Sequence, residues 1–186
     1  MVETLELVRQ HYSGDQIEVL GQHVSASGFS GAPTMDRVPP IMIGGGSKRV
    51  LGIAGREADI VSINFNNSAG KIGPEGVGSG TVDGTSQKIE WIRAGAGERF
   101  NELEIEIGAY FTVVTDHRDA VQGEFAKLFG LDVSDIANHP HCLIGPVEEL
   151  VEKIQQRREE LGINYVTFGG AVIDDVAPIV EALSGT

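Results

Sequence analysis

An α/β fold built on a parallel sheet is what this sequence predicts, and three observations predict it. There are four short, almost wholly apolar runs, a helical pattern follows each of them, and the order is strictly strand then helix. Strands that read as near-continuous apolar runs belong to parallel sheets covered by helices, either doubly wound or closed into a barrel. The 186 residues suffice for one domain with a real core.

The elements follow in chain order. Residues 2–12 place Val2, Leu5 and Val8 at helical spacing, and Gly14 is a stop signal. This helix opens abruptly, as the tail of a unit whose strand is absent would. Residues 16–29, "QIEVLGQHVSASGF", alternate and predict an extended hairpin or loop excursion. Residues 1–37 thus form a leading helix and excursion, and 38–186 hold the four βα units. Pro39–Ile43 is the first buried strand and Ser47–Arg56 its helix; Ala58–Ile63 is the second strand. The stretch after it, "NFNNSAGKIGPEGVGSGT", has five glycines and no periodicity, so it is either a lid or a merely disordered connection. A helix over 83–97, a strand over Leu103–Val114 and a helix over 117–129 follow. A loop through "SDIANHPHCLIG" leads to the clearest helix, Pro146–Leu161, with acids in its first turn, Arg157 and Arg158 near its end, and Gly162 as terminator. "INYVTFGG" is the fourth strand. The last helix runs from Asp174, a candidate cap, to Leu183.

Composition narrows the function. A net charge of −13 disfavours nucleic acid and anionic membrane as partners. No apolar run approaches a membrane span, and the N-terminus carries acids where a signal peptide has basic residues, so a soluble, cytoplasmic protein is expected. The single cysteine, Cys142, agrees with a reducing compartment.

The most informative stretch is "IMIGGGSKR". After a parallel strand, the loop and next helix N-terminus lie at the carboxyl end of the sheet, where ligands bind in barrels and open sheets alike. Glycines let backbone approach a phosphate, and the first-turn amides point at it with the helix dipole behind them. Gly44, Gly45, Gly46, Ser47 and Lys48, with Arg49 as a further cation, make a reasonable phosphate cradle. The pattern lacks both dinucleotide and P-loop spacings. A tight strand-to-helix turn, with glycines for close packing and the two cations merely solvated, accounts for it equally well.

The run "VPPIMIGGGSKRVLGIAGREADIVSIN" resembles the luciferase-like monooxygenase family, flavin- or deazaflavin-dependent (β/α)8 barrels of the TIM type. "GERFNELEIEIGAYFTVVTD" and "HPHCLIGPVEELVEKIQQRREELGINYVTFGG" extend the resemblance over most of residues 38–184, with wording similar to the branch that uses coenzyme F-420. The resemblance implies an oxidoreductase or monooxygenase acting on a small-molecule substrate, with F-420 or FMN as cofactor. It places the cofactor phosphate on Gly44, Gly45, Gly46, Ser47, Lys48 and Arg49. A full barrel has eight βα units and about 250 residues, and this chain supplies about the last four. The strands that contribute catalytic groups in the family fall in the other half, so no catalytic residue is assigned. A half-barrel exposes two edges and an inner face. A fragment of a longer chain, a homo-oligomer that completes the barrel, and a truncated paralogue with a partner each resolve this. The rival functional readings are a non-catalytic assembly or binding module, and another phosphate-binding α/β enzyme.

Other constellations read more plainly. "HPHC" brings His139, His141 and Cys142 together, yet no second ligand pair supports zinc and no metal is expected. His23 and His117 read as surface residues, Cys142 as an inert thiol, and Glu104 and Glu106 as solvent-facing at a strand's start.

Overall fold

The computed structural model describes residues 1–67, 70, 73–169 and 173–185. Two compact units emerge, Met1–Ile41 and Met42–Thr186. In the first, helix α1 (Val2–Ser13) ends on Gly14 in the left-handed conformation, φ 77°. Strands β1 (Gln16–Leu20) and β2 (Ser25–Ser30) pair antiparallel as a hairpin. The Glu3 carboxylate accepts the backbone N–H groups of Gln22, His23 and Val24 at 2.9, 2.8 and 2.8 Å, fastening the hairpin turn to α1. These backbone donors hold its pKa below the ordinary carboxylate value.

The second unit follows the strand-then-helix order. Strand β3 (Met42–Gly45) leads to α2 (Lys48–Glu57), and β4 (Ile60–Ile63) to the short α3 (Pro74–Gly78) and then α4 (Val82–Ala96). A 3-10 turn, Gly97–Glu102, leads into β5 (Glu104–Ala109) and β6 (Phe111–Val114). Helices α5 (Arg118–Phe129) and α6 (Val133–Asn138), strand β7 (Cys142–Gly145), helix α7 (Val147–Leu161), strand β8 (Tyr165–Phe168) and helix α8 (Ile173–Leu183) complete it. One sheet has the all-parallel order β3-β4-β5-β8, and β6 pairs with β7, also in parallel.

Neighbouring residues in parallel strands share a face, so the register divides the sheet cleanly. Ile43, Val61 and Ile105 lie side by side, as do Ile63, Ile107 and Val166. Apart from the half-buried Val166 they are at most 8% exposed, on the face that α2, α4, α7 and α8 cover. The opposite face carries Gly44, Ser62, Glu106 and Tyr165 in one row, flanked by Met42 and Thr167. That face is polar, with Met42 46% and Tyr165 38% exposed. It is the inner face of a half-barrel, with β3 and β8 as edge strands.

Helices α2 and α4 approach so closely that a Cβ at Gly55 would lie 2.3 Å from the Ile92 carbonyl oxygen, and one at Gly95 2.2 Å from that of Gly52. Arg99 closes the end of α2 by donating to the carbonyls of Gly55 and Ala58 at 2.7 and 2.8 Å.

Several boundaries differ from the sequence expectation for physical reasons. The first strand starts at Met42 rather than Pro39, because Pro39 and Pro40 have no N–H to give a ladder. The expected single strand Leu103–Val114 is two strands interrupted at Tyr110, with different partners. The loop before the clearest helix contains both α6 and β7. Pro146 is the cap of α7 rather than its first residue, and Asp174 lies inside the first turn of α8 rather than capping it. Of the glycine-rich stretch, α3 is helical, while Ser68, Ala69, Lys71 and Ile72 lie outside the described residues, as does Gly170 of "TFGG".

Candidate functional site

The glycine run divides between two elements. Gly44 and Gly45 belong to β3, Gly46 and Ser47 make the turn, and Lys48 opens α2. None of the three glycines has a positive φ; what they supply is room. A Cβ at Gly46 would lie 2.1 Å from the Phe65 carbonyl oxygen, and one at Gly45 2.4 Å from Val50 Cγ1. At Gly44 the atom met would be Asn64 Nδ2, at 2.8 Å. The close-packing account of the glycines therefore describes what they do here: the β3–α2 turn lies directly against the chain leaving β4.

Ser47 caps α2, its Oγ accepting the Val50 N–H at 3.5 Å. The first-turn amides of Lys48 and Arg49 come before the helix's own hydrogen bonding begins, and they point out of its N-terminus. Ser47, Lys48 and Arg49 are all exposed. Gly46 and Ser47 thus make a short turn between β3 and α2 at the carboxyl end of the sheet, with the exposed Lys48 and Arg49 opening the helix beside it.

Beside it lies a polar cluster that sequence reasoning missed. Asn64, next after β4, donates from Nδ2 to Ser62 Oγ at 3.4 Å and accepts the Tyr110 hydroxyl on Oδ1. The Tyr110 ring lies over Gly108, where a Cβ would come within 2.5 Å of it, and stacks on His141 with centroids 5.2 Å apart and planes 3° apart. Burial, and secondarily the charge of Glu106, raise the Tyr110 pKa, so the phenol stays a donor. Glu106 is 4% exposed and accepts the Thr167 hydroxyl at 2.5 Å, which corrects its reading as a solvent-facing acid; Glu104 is exposed as expected. The available signal was positional: Ser62, Glu106 and Thr167 are the inward residues near the carboxyl ends of three strands.

Lys88 underpins the cluster from α4. Only 2% exposed, it donates to the carbonyls of Asn64 and Ser79, both at 2.8 Å. Burial, with no carboxylate partner among the described residues, lowers its pKa to about 8.

The "HPHC" turn is a structural knot. His139 Nδ1 accepts the His141 N–H at 3.2 Å, so its Nε2 carries the proton and donates to the Val77 carbonyl at 2.9 Å. His141 donates from Nδ1 to the Gly108 carbonyl at 2.8 Å, and burial lowers its pKa to about 3, keeping it neutral. Arg157 gathers the carbonyls of His139, Pro140 and Cys142 at 2.8, 2.9 and 2.8 Å. Burial pushes the Cys142 thiol up to about 12, which makes it a poor nucleophile. Among the described residues, no group of three His, Cys, Asp or Glu side chains is placed to hold a metal, and no helix is long and apolar enough to cross a membrane.

Comparison with known proteins adds the following. A family model described as luciferase-like monooxygenase matches residues 1–130. That match takes in the leading helix and hairpin and stops short of the closing segment that the sequence resemblance included. Among solved structures, a coenzyme F-420-dependent tetrahydromethanopterin reductase from Methanopyrus kandleri superposes with a TM-score of 0.64 at 17% identity, covering 96% of this chain and 59% of its own. An F-420-dependent secondary alcohol dehydrogenase gives 0.65 at 17% identity, with 98% and 59% covered. The long-chain alkane monooxygenase LadA gives 0.59 at 18% identity, with 90% and 46% covered. The chain spans between 46% and 59% of the length of these structures. A comparison with curated protein sequences found no match.

Proposed function

The chain belongs to the luciferase-like monooxygenase family, and on that footing we propose that it carries the cofactor-phosphate turn of an F-420- or FMN-dependent oxidoreductase acting on a small-molecule substrate. The observation that carries the proposal is the turn itself. Gly44 and Gly45 end the strand, Gly46 and Ser47 turn, and Lys48 and Arg49 bring a helix N-terminus with free first-turn amides and two exposed cations to the carboxyl end of a parallel sheet, in a protein of net charge −13. The residues fit a phosphate: Lys48 and Arg49 supply charge, and the first-turn amides of α2 supply donors. Bound there, the cofactor supplies hydride or oxygen chemistry. The chain's own contribution is to hold the phosphate and to present Asn64, Tyr110 and the Glu106–Thr167 pair at the same end of the sheet as orienting polar groups.

Titration of the purified protein with F-420 and with FMN, followed by fluorescence, tests this. Saturable binding of one of them, weakened by about 1–2 kcal/mol in Lys48→Ala, is expected, as loss of a charge-assisted hydrogen bond requires. A folded protein that binds neither refutes the proposal. Unchanged affinity in Lys48→Ala removes that residue from the site.

A second reading is favoured by the open polar face and the two edge strands: a half-barrel whose role is assembly, with a second copy or the first half of a barrel as partner. It predicts a defined oligomer or heterocomplex in light scattering with no cofactor affinity.

A further inference from the structure

Beside the glycine turn, one side chain is fixed more tightly than packing of the sheet requires. The polar groups of Asn64 are all held: its N–H donates to the Gly45 carbonyl at 2.9 Å, its carbonyl accepts from Lys88 at 2.8 Å, its Oδ1 accepts the Tyr110 hydroxyl, and its Nδ2 donates to Ser62 Oγ at 3.4 Å. Yet Asn64 is only half-buried and Tyr110 is 40% exposed, so both remain open to a ligand. A partly open side chain locked by its neighbours is one pre-oriented for binding. The Asn64 carboxamide lies across the inner face of β3 at a position that has no side chain of its own, since a Cβ at Gly44 would come 2.8 Å from Nδ2 and 3.5 Å from Ser62 Cβ. Tyr110 lies across the inner face of β5 in the same way, at Gly108. Because Oδ1 is turned to the phenol, nitrogen is the end that lies over Gly44. That nitrogen carries two N–H groups, and among the described residues only Ser62 Oγ accepts from it.

Charge is divided between the turn and this face. Lys48 and Arg49 stand exposed at the turn, whereas the row from Gly44 across Ser62 to Glu106 and Tyr165 holds no cation. Its one charge is the Glu106 carboxylate, 4% exposed, hydrogen-bonded to the Thr167 hydroxyl and, among the described residues, without an ion pair. An anion therefore belongs at the turn, and what passes over the inner face next to it is neutral and hydrogen-bonding. We propose that Asn64 binds the hydroxylated chain that joins phosphate to ring system in FMN and in F-420, with Tyr110 as the positioning residue that keeps the Asn64 N–H turned toward it. The assignment rests on the cofactor reading above, in which the phosphate lies at the turn. Its adjacency to Gly44 gives Asn64 the part of the cofactor next to the phosphate rather than the ring.

Fluorescence titration with two ligands tests it: FMN, and an analogue whose chain is an unsubstituted pentyl phosphate, which keeps ring and phosphate and loses the chain hydroxyls. The corresponding pair of 5-deazaflavin phosphates takes their place if F-420 is the cofactor that binds. The parent protein is expected to bind FMN about tenfold more tightly than the analogue, as one or two hydrogen bonds allow. Asn64→Ala is expected to abolish that preference by weakening FMN alone, and Lys48→Ala to weaken both ligands alike and leave the preference intact. Tyr110→Phe keeps the ring stacked on His141 and frees the carboxamide to turn, so it is expected to cut the preference by about threefold. Equal affinity of the parent for the two ligands, or an undiminished preference in folded Asn64→Ala, overturns the assignment and leaves the cofactor reading standing. Should Asn64→Ala not fold, Tyr110→Phe decides, and an undiminished preference there overturns it. Binding of neither ligand in either series refutes the cofactor reading, and this assignment with it.

Discussion

Replacing Gly46 by alanine tests the packing of the glycine turn directly. The added methyl would sit 2.1 Å from the Phe65 carbonyl oxygen and 2.5 Å from its carbon, whereas Cβ contacts essentially never fall below 3.0 Å, so the two backbones must part by about 0.9 Å. Neither is placed to yield. Asn64 donates its N–H to the Gly45 carbonyl at 2.9 Å, Lys88 holds the Asn64 carbonyl at 2.8 Å, and the Phe65 side chain is 3% exposed in a core with Val77, Phe129 and Ile144. Overpacking of this kind costs about 1–3 kcal/mol, and loosening one of these hydrogen bonds adds about 1 kcal/mol. A loss of about 3 kcal/mol follows, or roughly 6–12 °C in Tm for a chain of this size. Gly52→Ala is the control: it lies within α2 with nothing within 4 Å of an added Cβ, and is expected to stabilise by about 0.5–1 kcal/mol. Urea denaturation of both variants beside the parent protein measures the difference. If Gly46→Ala unfolds at the parent's midpoint, the close approach of the turn to Phe65 is not what fixes a glycine there.

Three further outcomes follow from polar side chains that bond across the fold. Lys88 has a folded pKa of about 8 against an ordinary 10.5, so the folded state binds fewer protons than the unfolded state between those values, and this residue makes stability rise with pH across that window; urea midpoints measured across it should climb less in Lys88→Met than in the parent. Arg157→Met strips three buried carbonyls of their donor and is expected to cost about 3 kcal/mol or more in chemical denaturation, with Arg157→Lys a poor rescue because an ammonium cannot reproduce the planar fork. Tyr110→Phe keeps the stack on His141 and loses the bond to Asn64, for an expected cost of about 1 kcal/mol by the same measurement.

The fold was legible because its apolar strands carry a burial signal that needs no tertiary knowledge: Val61, Ile63, Ile105 and Ile107 read as buried and are buried. The glycine turn was legible as a feature, though not in its boundaries, since Gly44 and Gly45 still belong to the strand. Glu106 was misread because alternation in a strand implies an apolar face and a wet face, whereas Glu106 lies on the polar face yet is covered locally and bonded to the Thr167 hydroxyl of the neighbouring strand. The structural roles of Lys88, His139, His141 and Arg157 were not legible because each is held by carbonyl oxygens from segments 9 to 62 residues away, and carbonyls leave no mark in a sequence. Strand β7 and helix α6 are too short for periodicity to register.

The interruption at Tyr110 makes residues 104–114 a hub. The first half of that segment is hydrogen-bonded to β4 on one side and β8 on the other, and the second half to β7. A local opening there must break three ladders at once, whereas opening β3 breaks one. Amide hydrogen exchange should therefore rank the segments, with Ile105 and Ile107 among the last to exchange and Met42 and Ile43 among the first of the sheet. The kink that re-aims one strand toward a third neighbour thereby sets where the unit's unfolding begins, at the edge strands, of which β3 carries the glycine turn.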